Sequence, residues 1–282
     1  MKIIVTGAHG QLGRALCAHN GSRYEVIGFD SRALDICDPK AIDEKLKEVQ
    51  PDFVFNAAAY TAVDQAEDDA ERAYELNATA VGHLALACRE YGVKLVHFST
   101  DYVFDGMKSS PYLVDDQTNP QGVYGASKLA GEKLAGDDAL IIRTSWVYDA
   151  HGKNFVTTVL KLLKERERLT IIADQIGSPT STSSLAAANL SLSEKGAKGI
   201  YHVTDEGVAS WYDFAVAVQE EALRLGLLKE EKQILPINTA DYPTRARRPA
   251  YSVLDKSKTR DLLGEPFPYW RYQLRLVLKD LL

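Results

Sequence analysis

The stretch Ile4-Val5-Thr6-Gly7-Ala8-His9-Gly10-Gln11-Leu12-Gly13 runs an apolar, β-branched strand into a turn with three evenly spaced glycines, and then into a helix. Few local patterns limit a fold as tightly. In this setting the first glycine permits the tight turn and the second lets the backbone approach a pyrophosphate. The third lets the helix lie close on the sheet, with phosphate charge facing its N-terminus. The spacing is G-x-x-G-x-x-G, not the G-x-G-x-x-G of the usual dehydrogenase fingerprint. Glycines serving only as loop punctuation are the alternative, and the strand before and helix after argue against it. A bound dinucleotide is expected, touching Gly7, His9, Gly10, Gln11, Leu12 and Gly13.

The rest of the first half repeats the rhythm of that opening. Strands are expected at Lys2 to Thr6, Tyr24 to Phe29, Asp52 to Phe55, Val93 to Ser99 and Ala139 to Arg143, with helices at Gln11 to His19, Pro39 to Val49, Asp68 to Tyr91 and Val123 to Ala135. Alternation of this kind builds a Rossmann-type, doubly wound parallel sheet with helices on both faces. Residues 1–146 are assigned to it. Beyond Trp146 the pattern loosens into strands at Leu169 to Ala173 and Gly199 to Val203 and helices near 154–165, 182–193 and 211–225. From Lys232 a proline-rich remainder reads as loops with two short helices. Residues 147–282 form a smaller, partly interleaved α/β substrate lobe, with part of 182–225 packing back on the first.

Composition narrows the partners. A formal net charge of -6 offers no basic stripe for nucleic acid, although Arg245, Arg247 and Arg248 make one local cationic patch. No apolar run approaches the roughly 20 residues of a membrane helix. Three cysteines without a C-x-x-C pair suggest neither zinc nor disulfides, and a reducing cytoplasm fits best.

Asp30, closing the second strand, stands where a carboxylate binds an adenosine ribose, which favours NADH. Arg32, two residues on, suits a 2′-phosphate and hence NADPH. Both cofactors stay open, as does a plain turn carboxylate at Asp30. After the fourth strand, Ser99-Thr100 puts a hydroxyl at the ligand-bearing edge of the sheet. Tyr124 and Lys128 then lie four apart on one helical face. Ketone reduction needs a proton for the developing alkoxide, which Tyr124 can donate. An ammonium at Lys128 would lower the phenol from its ordinary value, and Thr100 would hydrogen-bond the oxyanion. A lone Tyr-x-x-x-Lys is often only a surface pair. The ordered set of glycine turn, Asn56-Ala57-Ala58-Ala59, Ser99-Thr100, Tyr124 and Lys128 carries the weight.

That order resembles the extended short-chain dehydrogenase/reductase superfamily. Within it, Asn56 through Glu67, Ser99-Thr100-Asp101-Tyr102-Val103-Phe104, Arg143-Thr144-Ser145-Trp146-Val147-Tyr148 and Gln175 through Thr180 are similar to the dTDP-4-dehydrorhamnose reductase family. The resemblance implies a catalytic set of Thr100, Tyr124 and Lys128, reducing the 4-keto group of a dTDP-linked sugar with NADPH or NADH in dTDP-rhamnose biosynthesis. It also implies cofactor contacts at Ala57, Ala58, Ala59, Tyr124 and Lys128, and near the adenine at Asp35 and Ile36. Thr61, Val63, Thr100, Asp101, Tyr102 and Trp146 would line the sugar pocket. Arg247 and Arg248 offer guanidinium forks to the diphosphate. Plainer alternatives are a core role for Val63, a buried anchor at Trp146 and solvated charge at the two arginines.

Some relatives form dimers bridged by a metal on glutamates, one of them two residues past the third glycine. Here that position is Ala15. No metal is expected, and monomer against homodimer stays open. A nucleotide-sugar epimerase or dehydratase is the rival enzyme, although Tyr102 follows Asp101 where a dehydratase carries a second acid. A non-catalytic regulatory subunit of methionine adenosyltransferase is the rival outside enzymes.

Overall fold

The computed structural model describes all 282 residues. Ile3, Ile4 and Val5 of β1 (Lys2–Thr6) are buried on both faces, as a central parallel strand requires. Around it stand β2 (Glu25–Phe29), β3 (Phe53–Asn56), β4 (Lys94–Thr100) and β5 (Leu140–Thr144). Their connections are α1 (Gln11–Cys17), α2 (Pro39–Val49), the short α3 (Val63–Ala66) and α4 (Ala70–Tyr74), α5 (Ala80–Glu90) and α6 (Val123–Ala135). The chain continues through β6 (Val147–Tyr148), α7 (Phe155–Glu165), β7 (Arg168–Ile172), β8 (Ile176–Gly177), β9 (Thr180–Ser181), α8 (Thr182–Glu194) and β10 (Gly199–His202). It ends with β11 (Ala209–Ser210), α9 (Trp211–Arg224), β12 (Gln233–Ile237), α10 (Ser257–Leu263) and α11 (Trp270–Lys279).

The six-stranded sheet has the order β10-β5-β4-β3-β1-β2, all parallel. It is doubly wound, as expected. Strand order reverses beside β1, so the crevice above β1 and β3 is where such sheets hold ligands. Ile3, Val5, Phe55, Val96 and Ile142 meet α8 on one face, while Ile4, Val54 and Ile141 meet α2 and α5 on the other. β10 therefore completes the sheet from far along the chain, and α8 covers α1. A separate core joins α7, α9 and α11 over β7. No helix is long and apolar enough to cross a membrane.

Besides the short α3 and the two-residue strands β6, β8, β9 and β11, two larger elements differ from expectation. The long helix placed at 68–91 is interrupted by a π turn at Glu75–Thr79. Within that turn Asn77 points inward and binds both Tyr60 backbone groups, at 2.8 and 3.1 Å, and Ser127 Oγ at 3.0 Å. Gly131 lets α6 close on that turn, because a Cβ there would lie 2.0 Å from the Asn77 carbonyl. The second element is β12, in a segment read as loop. Pro236 hides it from a strand reading, yet β12 pairs only with β7, and an edge tolerates proline.

Candidate active site

At the carboxyl end of β1, Gly7 has φ +64°, and a Cβ there would meet Ala58 N at 2.7 Å. At Gly13 a Cβ would meet the Gly7 carbonyl at 2.2 Å. The Ala57–Ala58 turn and the start of α1 thus close on Gly7 from two sides. Gly10 differs, for its added Cβ would meet only the Gly7 oxygen, at 3.2 Å, leaving a bare backbone face that suits a diphosphate. Gln11 ties this turn to the lobe, its Oε1 accepting from Asn154 Nδ2 at 2.9 Å, while Leu12 packs toward the sheet core.

Asp30 accepts the Arg32 and Ala33 amides at 3.1 and 2.9 Å, so one oxygen holds its own turn. The other oxygen faces His9 Nδ1 at 3.3 Å. The Ala33 N–H foremost holds this carboxyl below its ordinary range. Arg32 and Asp35 are exposed beside it, Asp35 capping the Cys37 amide at 2.9 Å. Ile36 instead points into the core under α2. Ala57, Ala58 and Ala59 are half-buried at the same edge. This open backbone, with polar groups in the loop just past β2, fits a dinucleotide.

Thr100 ends β4, its hydroxyl donating to Asp101 Oδ1 at 3.0 Å and accepting the Tyr102 amide at 3.2 Å. Tyr124 opens α6 and packs edge-on against Tyr102, with centroids 5.5 Å apart. Burial pushes the Tyr124 phenol up to about 12, against the pull of a hydrogen bond with Thr100. The sequence expectation was a lowered phenol. Desolvation dominates here, and the Lys128 ammonium is turned to His97, its Nζ 3.4 Å from Nε2. Lys128 itself is 2% exposed, and burial lowers it to about 8, with Glu132 opposing. Glu132 is held by Ser99 at 2.5 Å and by a bidentate Arg143 at 2.9 and 2.8 Å. Asp101 is also buried, its Oδ2 unpartnered, and desolvation raises it to about 6.

Across the cleft, Trp146 adopts φ +48°, a left-handed backbone that costs a bulky side chain free energy. Its indole lies on Trp211 with centroids 3.5 Å apart and planes 5° from parallel. Gly177 makes room, because a Cβ there would sit 2.5 Å from the Trp146 ring. Trp211 donates to Gln175 at 3.2 Å and leans on Phe155. Phe155, Trp211, Gln175, Tyr242, Arg166, Arg168 and Arg248 border a cavity of about 540 Å³. Of these, only Arg248 was singled out from sequence. Phe155, Arg168 and Trp211 come from α7, β7 and α9, and Arg166, Gln175 and Tyr242 from three loops; Gln175 lies in the run that carries the family resemblance, and the others offered only aromatic or cationic character.

Arg248 grips Asp64 through both nitrogens, at 3.0 and 2.8 Å, and Arg245 pairs with Asp68. Arg247 is exposed, reaching Gln121 at 3.3 Å. Thr61 is exposed and Val63 half-buried on the same rim. No three His, Cys, Asp or Glu side chains come together as a metal site.

The family model described as the RmlD substrate binding domain matches residues 1–282. A dTDP-4-dehydrorhamnose reductase of Burkholderia thailandensis is 44% identical over 100% of this chain and 99% of its own. A crystal structure of a dTDP-4-dehydrorhamnose reductase from Clostridium acetobutylicum superposes with a TM-score of 0.94 at 38% identity, covering 100% of this chain and 99% of that one. Another from Bacillus anthracis, solved in complex with NADP, gives 0.93 at 36% identity over 99% of each.

Proposed function

Because the chain belongs to the dTDP-4-dehydrorhamnose reductase family, that of the RmlD substrate binding domain, we propose that it reduces the 4-keto group of dTDP-4-dehydro-β-L-rhamnose to give dTDP-β-L-rhamnose. Bound NADPH or NADH supplies the hydride that adds to C4. Gly7 and Gly13 let the turn and α1 close tightly, Gly10 leaves the backbone free for the diphosphate of the cofactor, and Asp30 and Arg32 lie on its adenosine side. Tyr124 gives its phenolic proton to the C4 oxygen, and Thr100 donates a hydrogen bond to that oxygen as charge develops. A phenol held high at about 12 keeps its proton at neutral pH, the state a donor needs. Once the proton has left, the Lys128 ammonium stabilises the phenolate.

For the substrate, the paired indoles of Trp146 and Trp211 offer an aromatic wall, and Arg248 offers a fork matched to a diphosphate. Thr61, Val63, Asp101 and Tyr102 complete the sugar side. One observation carries this reading. A buried hydroxyl ending β4 lies beside a half-buried phenol that opens α6, with the buried Lys128 ammonium one turn further along that helix, at the ligand-bearing edge of a doubly wound sheet. The test is to incubate the protein with dTDP-4-dehydrorhamnose and each reduced dinucleotide, following nicotinamide absorbance and identifying the sugar product. Stoichiometric oxidation with either cofactor is expected. No oxidation with both would sink the reading.

A further inference from the structure

Three neighbouring strands place a polar side chain at one level of the sheet. Thr6 of β1, Asn56 of β3 and His97 of β4 are register partners, and all three are buried. Thr6 Oγ1 lies 2.7 Å from Asn56 Oδ1, Asn56 Nδ2 lies 3.3 Å from His97 Nδ1, and His97 Nε2 lies 3.4 Å from Lys128 Nζ. Buried polar groups cost free energy unless each is paired, and in this line every member has a partner.

Lys128 sits at the end of the line. An ammonium has three donors and no acceptor, so its hydrogen bonds must end on lone pairs. The hydrogen-bond partner of Nζ is His97 Nε2, which accepts only if the imidazole carries its proton on Nδ1 and no second one. Burial, with the Lys128 charge behind it, holds His97 well below its ordinary range and so keeps it neutral. Nδ1–H then needs an acceptor of its own. Asn56 supplies it by a half-turn of the amide, oxygen toward the ring and NH2 toward Thr6, whose hydroxyl accepts as readily as it donates.

The other ionisable groups around this cluster have their own engagements. Glu132 is bound by Arg143 of β5 and by Ser99 of β4, Asp101 binds Thr100, and Tyr102 and Tyr124 pack on each other.

We propose that His97 is the positioning residue for Lys128, a neutral imidazole whose Nε2 accepts from the buried ammonium while Asn56 and Thr6 fix its Nδ1–H. The inference rests on the role given to Lys128 above. It keeps the lysine charged where burial works against the charge, and it links that lysine to Thr6, the residue before the cofactor turn at Gly7.

Reduction rates from pH 6 to 10 for the wild type, His97→Leu, His97→Gln and Lys128→Met test it. Glutamine keeps an acceptor near the place of Nε2, and leucine keeps none. In His97→Leu the basic limb of kcat/KM should move down by about one pH unit, since a hydrogen bond to a charged group is lost. The limb should return in His97→Gln. An unmoved limb in His97→Leu beside an inactive Lys128→Met overturns the inference and leaves Lys128 its role. Full turnover in Lys128→Met overturns both.

If His97→Leu does not fold, NMR on protein carrying nitrogen-15 histidine decides, with His97→Gln assigning the signal. A bare Nε2 with a protonated Nδ1 at pH 7 supports the inference, and an Nε2–H tautomer or an imidazolium overturns it.

Discussion

The two walls of the cleft are built on opposite plans. On the sheet side, Thr100, Asp101 and Lys128 are nearly sealed from solvent, at 5%, 2% and 2% exposure, with Thr100 bonded to Asp101 and Lys128 to His97 of β4. On the lobe side, the tryptophans are half-buried, Arg247 is exposed, and Arg248 is held by Asp64, a partner whose side chain is 42% exposed. Groups that must act on a bond are desolvated and fixed before substrate arrives, which is where electrostatic preorganisation is strongest. Groups that must let a charged ligand in and out stay wet and hold a displaceable acid. Damage to the first wall should therefore appear in kcat and damage to the second in KM.

The severest test of that division is Tyr124→Phe. Loss of a general acid should lower kcat by about 10²–10⁴-fold, with dinucleotide affinity, read by fluorescence titration, nearly unchanged. A matching rise in KM would erase the difference between the walls. Arg248→Ala should do the reverse. Losing a charge-assisted fork is worth about 1.5–3 kcal/mol, so KM for the nucleotide sugar should rise about 10–100-fold while kcat holds. Initial rates over a range of substrate concentrations check it.

Titration sharpens the sheet side alone. Burial has lowered Lys128 to about 8, so its positive charge is intact below that value and is lost as pH rises through it. Reduction should slow by about tenfold per unit above the limb, and profiles of kcat against pH would show it. The smallest effect belongs to Asp64→Asn. An exposed ion pair is worth about 0–1 kcal/mol, so releasing Arg248 should lower KM by at most a few-fold and leave kcat alone. A large loss of activity would make Asp64 part of the binding wall rather than a placeholder.

The sheet side was readable because its residues follow strand ends in chain order. Gly7, Thr100, Tyr124 and Lys128 each carry a local signature, and the α6 bounds matched the expected 123–135. Register was not readable. Nothing near Thr6, Asn56 or His97 says that β1, β3 and β4 align them, because cross-strand pairing is a long-range property. The lobe wall was hidden for a similar reason. Trp211 and Gln175 meet at 3.2 Å from separate loops and helices, and Phe155 reads locally as one more apolar residue of an amphipathic helix. The lowered phenol failed on a different count. Spacing shows that Lys128 shares a helical face with Tyr124, yet it cannot show how much water either loses.

The position of β10 has a further consequence, for the order of events during synthesis. A nascent chain that has just emerged through Trp146 holds five strands of the sheet, with the edge of β5 unpaired and the face of α1 uncovered. Both stay open until α8 and β10 leave the ribosome, several seconds later at roughly 5–20 residues per second. An exposed parallel edge of Leu140 to Thr144 is a template for wrong pairing. A ribosome stalled between Trp146 and His202 would thus present a sticky intermediate. The stretch coding for the second half governs how cleanly the first half closes.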